Sequence, residues 1–311
     1  MTSTTGSPLH GRLALARSAT DRAALHRGDD AWLARAWADP LTRVMLIHDG
    51  RTLVDGRSVV YFSPSQVGDG QRYLLGVDDT DTAYFAVSQP AGLRAPVGSA
   101  AAPAGLREVR SLLSDRDAGL LVLAVGLDNW HATHTHCPRC GNPTRVVSAG
   151  FVRRCPVDDS EHYPRTDPAI IVLVTDTSGQ RCLLGSSARW AGRRFSTLAG
   201  FVEPGESAEA AVIREVFEES SVAIGAVTYL GSQPWPFPSS LMLGFTARAV
   251  DPDALPVADG EELLEVRWFT REQIETGSAD GSLGLPPGLS IARRLIEHWY
   301  GGELPDPQLP W

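Results

Sequence analysis

The chain has 311 residues, of which 43% are hydrophobic and 21% are charged, and its formal net charge is −9. This composition excludes a disordered chain, and the acidic charge argues against broad binding along nucleic acid duplexes, which requires a basic surplus. The longest apolar run, residues 120–127, is far shorter than the ~20 residues of a membrane helix. Because the first 18 residues also lack a secretory signal, the sequence predicts a cytoplasmic protein without a membrane segment.

Residues 1–128 combine short β-like runs with polar turns and predict an N-terminal domain of mixed α/β structure. Strands are predicted at 43–48, 58–62 and 82–87, where β-branched and aromatic residues are bounded by turn residues. Residues 106–127 have apolar residues at helical spacing, which predicts one helix. No residue pattern in this domain indicates a reaction.

Residues 129–163 contain a cysteine cluster that predicts a zinc-ribbon-like segment. Cys137 and Cys140 form a C-x-x-C turn, and Cys155 follows fifteen residues later. Thiolates at this spacing can share one tetrahedral Zn²⁺ ion. A complete ribbon has a fourth cysteine where this chain has Asp158, so three alternatives are open: Asp158 is the fourth ligand, a nearby histidine is, or the segment has lost its metal. The histidines near the cluster are His136 and His162.

Residues 164–311 alternate strand-like and helix-like segments, which is typical of an α/β domain. Strands are predicted at 169–174, 181–185, 241–250 and 265–269, and helices at 207–220 and 289–300. The first two strands are expected to pair across a tight turn. Ser207 is the candidate N-cap of the first helix. The second helix is amphipathic, with Ile291, Leu295 and Trp299 on one stripe.

The helix predicted at 207–220 carries three glutamates on one side. At 100° per residue, Glu215, Glu218 and Glu219 fall within a sector of about 100°. Acids at these spacings repel one another, and a hard divalent cation such as Mg²⁺ or Mn²⁺ neutralises them well. The alternative is a solvated acidic face. The residues expected to form the buried stripe, in a different sector, are Ile213, Val216 and Phe217.

These three glutamates belong to a longer pattern. Gly200, then Glu206, then Arg-Glu-apolar-x-Glu-Glu from position 214 resembles the Nudix box. The resemblance implies an α/β/α sandwich that hydrolyses a nucleoside diphosphate linked to another group. It also implies that the three glutamates bind the metals and that Glu206 supports the site. The chain departs from the family at Ser221, where a glycine usually ends the helix, and this leaves the geometry of the following loop open.

Residues 232–240 read Ser-Gln-Pro-Trp-Pro-Phe-Pro-Ser-Ser. Three alternating prolines exclude a helix and predict an extended backbone, with Trp235 and Phe237 projecting to one side as an aromatic ledge. The alternative is a stiff loop packed into a core or a subunit contact. The run resembles the SQPWPFPxS motif of the NADH pyrophosphatases within the Nudix family, and the resemblance extends over residues 129–300. The substrate-binding residues it implies are Gln233, Trp235, Phe237 and Ser240.

Four further positions follow from the same resemblance. Glu262 matches a glutamate that supports catalysis near the metals, and the resemblance makes it a further candidate ligand of Mg²⁺ or Mn²⁺, although it can also be a solvated acid of a loop. Tyr163 and Phe201 match aromatic positions that hold the nicotinamide across a homodimer interface. Ala292 matches a position whose backbone contacts the metal or the ligand.

The resemblance therefore implies hydrolysis of NADH or NAD to a nicotinamide mononucleotide and AMP, and removal of NAD caps from RNA 5′ ends. Two alternatives are a Nudix hydrolase of ADP-ribose or another nucleoside diphosphate derivative, and an NAD-sensing or RNA-binding module with weak catalysis. The implied cofactors are Mg²⁺ or Mn²⁺ with one structural Zn²⁺. The predicted fold class is α/β (α+β): an α/β/α sandwich preceded by the zinc-ribbon-like segment and the N-terminal domain.

Overall fold

The computed structural model describes residue 9 and residues 11–109, 113–187, 189–190 and 193–305. The described residues form two compact units. The unit that we name the ribbon unit comprises residues 17–166 and 235–239. The unit that we name the sandwich unit comprises the described residues of 1–16, 167–234 and 240–311. No helix within these ranges is long and apolar enough to cross a membrane. The three-part division into 1–128, 129–163 and 164–311 stays a prediction.

The ribbon unit begins with a helix and two small sheets. Its first elements are α1 (Asp30–Ala38), β1 (Arg43–Ile47), β2 (Arg51–Asp55), β3 (Ser58–Val59), β4 (Arg72–Val77), β5 (Ala83–Ser88) and β6 (Ala102–Gly105). Strands β1 and β4 flank β5 in one sheet, and β3 and β6 flank β2 in the other. The strands predicted at 43–48 and 82–87 are confirmed. The strand predicted at 58–62 is two residues long, and Phe62 forms only an isolated bridge with Val44.

The single helix predicted at 106–127 is wrong in its extent. The structure has a short helix α2 (Leu106–Val109) and a long helix α3 (Asp115–Thr133), while residues 110–112 lie outside the described residues. Ser114 is the N-cap of α3, and its side chain accepts a hydrogen bond from the amide of Asp117. A serine followed by acidic residues is a helix start signal, so the second helix was recognisable from the sequence.

The cysteine-containing segment folds as three antiparallel strands, β7 (Arg145–Val147), β8 (Val152–Arg154) and β9 (Glu161–His162). A buried contact ties this sheet to α3, because Nη1 of Arg153 donates to Nδ1 of His131 at 3.0 Å. Since arginine only donates, His131 is a neutral ring whose Nε2 donates to the carbonyl of Gly150 at 2.8 Å. Burial, together with the charge of Arg153, lowers the pKa of His131 to about 4.

The sandwich unit is built on one six-stranded mixed sheet. Its elements are β10 (Asp167–Thr175), β11 (Arg181–Ser187), β12 (Leu198–Phe201), α4 (Ala208–Ser220), β13 (Ile224–Trp235), β14 (Ser240–Ala249), β15 (Leu263–Thr270), α5 (Arg271–Asp280) and α6 (Ile291–Tyr300). The strand order is β13-β14-β10-β11-β15, and β12 also pairs with β10. The predicted pairing of β10 with β11 is confirmed, and β10 pairs with β14 in parallel.

The alternating side chains of β10 separate two cores. Ile170 and Val172 pack in the core that contains α4, whereas Ile171 and Leu173 pack in the core that contains α6. A central strand buried on both faces is expected to be continuously apolar, as this one is. The arrangement is the predicted α/β/α sandwich.

Helix α4 begins as predicted, because the side chain of Ser207 accepts a hydrogen bond from the amide of Ala210 at 3.2 Å. The predicted buried stripe is correct only for Val216. Ile213 and Phe217 are 47% and 57% exposed, so that part of the prediction is wrong. The helix turns a different row of residues toward the sheet. The buried residues of α4 are Ala211, Val212, Val216, Glu219 and Ser220.

Candidate active site

One arginine of α4 connects three acids of the Nudix box. Arg214 donates two hydrogen bonds of 2.8 Å to the carboxylate of Glu206, one from Nε and one from Nη2. Its Nη1 donates to Glu215 at 2.8 Å and to Glu218 at 2.9 Å, and Nη2 also donates to the carbonyl of Phe201 at 2.9 Å. This contact with Arg214 lowers the pKa of Glu206 to about 2. Arg214 therefore fixes the side chains of two of the three glutamates without contacting Glu219.

Gly200 on β12 faces the same acids. A Cβ atom at this position would overlap the carboxyl group of Glu215. Glycine is required here for close approach rather than for an unusual backbone angle. The glutamate thus lies directly against the strand, and burial raises its pKa, with added contributions from the charges of Glu218 and Glu262.

Glu219 is the most buried acid of the cluster, with 5% of its surface exposed. Its Oε2 has no hydrogen-bond partner among the residues that the structure describes. Burial raises the pKa of Glu219 to about 8, and the negative charges of Glu215 and Glu262 add to the shift. A buried carboxylate oxygen without a donor, close to two other acids, is the environment that a hard divalent cation stabilises. Glu219 therefore suits such an ion, whereas, among the residues that the structure describes, only Cys137, Cys140, Cys155 and Asp158 gather three or more candidate ligand atoms within 4.8 Å of one another.

Glu262 is held near the cluster by a turn that the sequence analysis missed. One side-chain oxygen of Asp259 accepts hydrogen bonds from the amides of residues 261, 262 and 263, at 2.9, 3.0 and 2.9 Å. Burial acts to raise the pKa of Asp259, but these three amides outweigh it and lower the pKa. The Asp-Gly pair at 259–260 is a turn signal from which this feature was recognisable. The turn at Asp259 leaves the side chain of Glu262 exposed.

The aromatic–proline segment is only partly extended. Strand β13 runs to Trp235, but residues 236–239 form a turn, so the prediction of an extended backbone is wrong there. The φ angle that proline imposes suits turns as well as strands. The rings of Trp235 and Phe237 meet edge to face, with centroids 5.0 Å apart. The two aromatic side chains are thus adjacent, although not through the backbone geometry that the sequence suggested.

Other residues implied by the resemblance occupy different environments. The Gln233 side chain is fully buried, where it donates to the carbonyl of Leu289 at 2.9 Å and accepts from the amide of Ile291 at 2.8 Å. It thereby anchors the start of α6, where Ser290 accepts from the amide of Ala292 at 3.2 Å. Tyr163 of the ribbon unit is 63% exposed, and Phe201 of the sandwich unit is 60% exposed. Ser240 pairs with Asp167 at the start of β14.

The cysteine cluster brings four candidate ligands together. The ligand atoms of Cys137, Cys140, Cys155 and Asp158 lie within 4.8 Å of one another. An oxygen of Asp158 is 3.7 Å from the sulfur of Cys137. The hydroxyl of Ser160 donates to Asp158 at 2.6 Å, which holds the pKa of that carboxyl below its ordinary value. Three thiolates and one carboxylate form a donor set that suits tetrahedral Zn²⁺, so the geometry favours Asp158 over a histidine as the fourth ligand.

Comparison with known proteins accounts for most of the chain. Three family models match consecutive ranges: "NADH pyrophosphatase-like rudimentary NUDIX domain" at residues 41–130, "NADH pyrophosphatase zinc ribbon domain" at 132–163 and "NUDIX domain" at 165–285. The NAD-capped RNA hydrolase NudC of Mycobacterium bovis is 36% identical over 307 residues, covering 93% of this chain and 95% of the relative. The chain belongs to the NADH pyrophosphatase family of Nudix hydrolases.

Relatives from primates match a shorter part of this Nudix hydrolase. The human NAD-capped RNA hydrolase NUDT12 is 41% identical over 198 residues, which cover 60% of this chain and 42% of the human protein. The chain thus spans about two fifths of the length of these relatives. The resemblance read from the Nudix box and the aromatic–proline segment is confirmed at the level of the family.

Ser221, where the chain departs from the family pattern, still ends α4. Ser221 is the C-cap of α4 and has the left-handed conformation, with φ of 57°. Its amide donates to the carbonyl of Phe217 at 2.7 Å. The residue thus adopts the backbone angles that glycine usually supplies in this family, at some conformational cost.

Proposed function

We propose that this Nudix hydrolase cleaves the pyrophosphate of NADH or NAD to a nicotinamide mononucleotide and AMP, and that it removes NAD caps from RNA by the same reaction. The observation that carries the proposal is the buried, unpartnered Oε2 of Glu219 within the cluster of acids. Family membership supports the choice of substrate, because the relatives with matching domains are named NAD-capped RNA hydrolases.

We assign Glu215, Glu218 and Glu219 as ligands of Mg²⁺ or Mn²⁺. When bound, the cation screens the charge of the pyrophosphate and makes an attacking water more acidic. Arg214 keeps two of these carboxylates on one side of the helix, and Glu206 in turn holds Arg214. These contacts hold the side chains of Glu215 and Glu218 when no cation is bound.

Glu262 is the exposed acid beside this cluster, and we propose that it supports the attack of water. An exposed carboxylate can accept a proton from the water through one of its oxygens and release it to solvent. The water oxygen bonds to one phosphorus of the pyrophosphate, and the bond from that phosphorus to the bridging oxygen breaks. The bridging oxygen leaves as part of the phosphate of the other nucleotide. In this proposal the buried Glu219 binds the metal, and the exposed Glu262 transfers the proton.

We propose that the aromatic pair of Trp235 and Phe237 binds the ring of the substrate, because flat rings stack well on aromatic side chains. The exposed rings of Tyr163 and Phe201 suit the same purpose, across the homodimer interface that the family resemblance implies. Ser240 and the backbone of Ala292 are further proposed contacts. We propose that Gln233 acts through the start of α6, since both ends of its amide are bound there.

The direct test is product analysis by chromatography after incubating the full chain with NADH, NAD, ADP-ribose or NAD-capped RNA, with Mg²⁺ or Mn²⁺ present. We expect AMP and a nicotinamide mononucleotide from the free dinucleotides. The capped RNA should yield a 5′-monophosphate end. A large preference for ADP-ribose would indicate a different Nudix activity, and binding without product would indicate a sensor.

A matched pair of variants connects that activity to the assigned ligands. Glu218→Gln should abolish turnover while the protein remains folded. Glu209→Gln, at an exposed position of the same helix, should behave as the wild type. Near-normal turnover by Glu218→Gln would contradict the metal assignment.

A further inference from the structure

The turn that carries Phe237 is held by the N-terminal part of the chain. Residues 235–239 lie between β13 and β14 in sequence, yet they belong to the ribbon unit together with α2 and α3. No reaction is assigned to α2 or α3, so the contacts that these two helices make with the turn indicate a purpose for them.

Asn129 near the end of α3 clamps the turn on both sides of Phe237. Its side-chain Nδ2 donates to the carbonyl of Pro236 at 3.1 Å and to that of Pro238 at 3.0 Å. Since both partners are carbonyl oxygens, the amide must face them with its nitrogen, and its two N–H groups are both used. The backbone before and after Phe237 is thereby fixed by one side chain.

Arg107 of α2 makes the second contact. Its guanidinium carbon lies 4.4 Å from the centre of the Phe237 ring, which is a cation–π distance. Arg107 is exposed, and Phe237 is partly buried. The backbone clamp and the ring contact act on the same residue, and that residue meets Trp235 edge to face.

We propose that Asn129 of α3 and Arg107 of α2 are positioning residues for the aromatic pair, so that these two helices determine the preference for substrates with a nicotinamide ring. The proposal rests on the proposed function of Trp235 and Phe237 as ring-binding residues. Loss of either positioning contact releases Phe237 from Trp235 and weakens ring binding. The acids of α4 belong to the sandwich unit, so the variants should hydrolyse a substrate without a nicotinamide ring as the wild type does.

The test compares steady-state hydrolysis of NADH and of ADP-ribose by the full chain. Asn129→Leu has nearly the same shape but no donor, and we expect it to raise KM for NADH about tenfold with kcat little changed. Its KM for ADP-ribose should stay at the wild-type value. Asn129→Gln keeps the two N–H donors and should recover most of the affinity for NADH.

Arg107→Ala provides a second variant at an exposed position, where folding is not at risk. We expect it to raise KM for NADH several-fold, again without an effect on ADP-ribose. Arg72→Ala is the matched control, because the guanidinium carbon of Arg72 makes the same kind of contact with a different ring, 3.9 Å from the centre of Trp37. The control should leave both substrates unchanged.

Trp235→Ala separates this inference from the proposed function. If Trp235→Ala lowers the preference for NADH whereas Asn129→Leu and Arg107→Ala do not, the positioning role is wrong and the ring-binding role stands. If Trp235→Ala leaves the preference unchanged, ring binding by the aromatic pair is wrong, and the positioning role falls with it. If both roles are correct, the double variant Trp235→Ala with Asn129→Leu should have the same KM for NADH as Trp235→Ala alone.

Discussion

The carboxyl group of Glu215 occupies the space that any side chain at Gly200 would need. A Cβ at position 200 would lie 1.9 Å from Cδ of Glu215, and 2.1 and 2.2 Å from its two oxygens. No rotation of a methyl group relieves such an overlap, so one of the two residues has to move. Strand β12 and helix α4 thus meet at a contact that couples the first position of the Nudix box to its acids.

Gly200→Ala should therefore displace Glu215 and reduce kcat on the order of a hundredfold, since catalytic groups tolerate little misplacement. The protein should remain folded. Gly126→Ala is the control, because a Cβ there meets no atom within 4 Å. A Gly200→Ala variant with wild-type kcat would show that the position of Glu215 is not critical.

The raised pKa of Glu219 predicts a pH-dependent stability in metal-free protein. Its pKa is about 8 in the folded chain, against an ordinary value of 4.5. The folded state therefore favours the protonated acid, and the free energy of unfolding falls as pH rises from 4.5 towards 8. Glu219→Gln removes this contribution, so at pH 8 with EDTA the variant should be more stable than the wild type by a few kcal/mol.

Urea unfolding between pH 5 and pH 8.5 measures this difference. Mg²⁺ should stabilise the wild type at pH 8 but not Glu219→Gln, which in turn should have no activity. Glu209→Gln should retain the wild-type dependence on pH. If the free energy of unfolding depends on pH in the same way in the wild type and in Glu219→Gln, another group compensates the buried acid.

Ser221 predicts a substitution that stabilises the fold without changing the chemistry. Its left-handed conformation costs a residue other than glycine roughly 1–2 kcal/mol. Helices α5 and α6 end on Gly281 and Gly301 in the same conformation, with φ of 75° and 91°. Ser221→Gly should raise the free energy of unfolding by about 1 kcal/mol with unchanged kcat. A less stable Ser221→Gly, measured by urea unfolding, would contradict this account of the cap.

The cysteine cluster predicts one Zn²⁺ per chain with Asp158 as a ligand. Asp158→Ala should weaken zinc binding by at least about tenfold in chelator competition, and Asp158→Cys should strengthen it. His162→Ala tests the alternative ligand and should leave the affinity unchanged. Loss of zinc from His162→Ala, with retention by Asp158→Ala, would reverse the assignment.

Local signals in the sequence predicted much of the sandwich unit. Ser207 marks the start of α4, and the apolar run at 169–174 predicts a buried strand, as β10 is. The spacing of Ile291, Leu295 and Trp299 predicts the buried stripe of α6, and all three are buried. In each case the residues that define the element are close together in the chain.

The rotation of α4 could not be predicted in this way. Hydrophobic periodicity places Ile213 and Phe217 inside, whereas the structure buries Glu219 in their stead. Burying an acid contradicts the rule on which the prediction rests, and such conflicts are expected where a site is built for chemistry. The bonds from Arg214 to Glu206 and to the carbonyl of Phe201 likewise depend on how the loop before α4 folds back, which spacing along one helix does not show.

The central claim is that the three glutamates of α4 hold a divalent cation together. Anomalous diffraction from crystals of the full chain soaked in Mn²⁺ tests it most directly. We predict a peak within roughly 2–2.5 Å of carboxylate oxygens of Glu215, Glu218 and Glu219. Manganese bound elsewhere, with these side chains directed away from one another, would contradict the account.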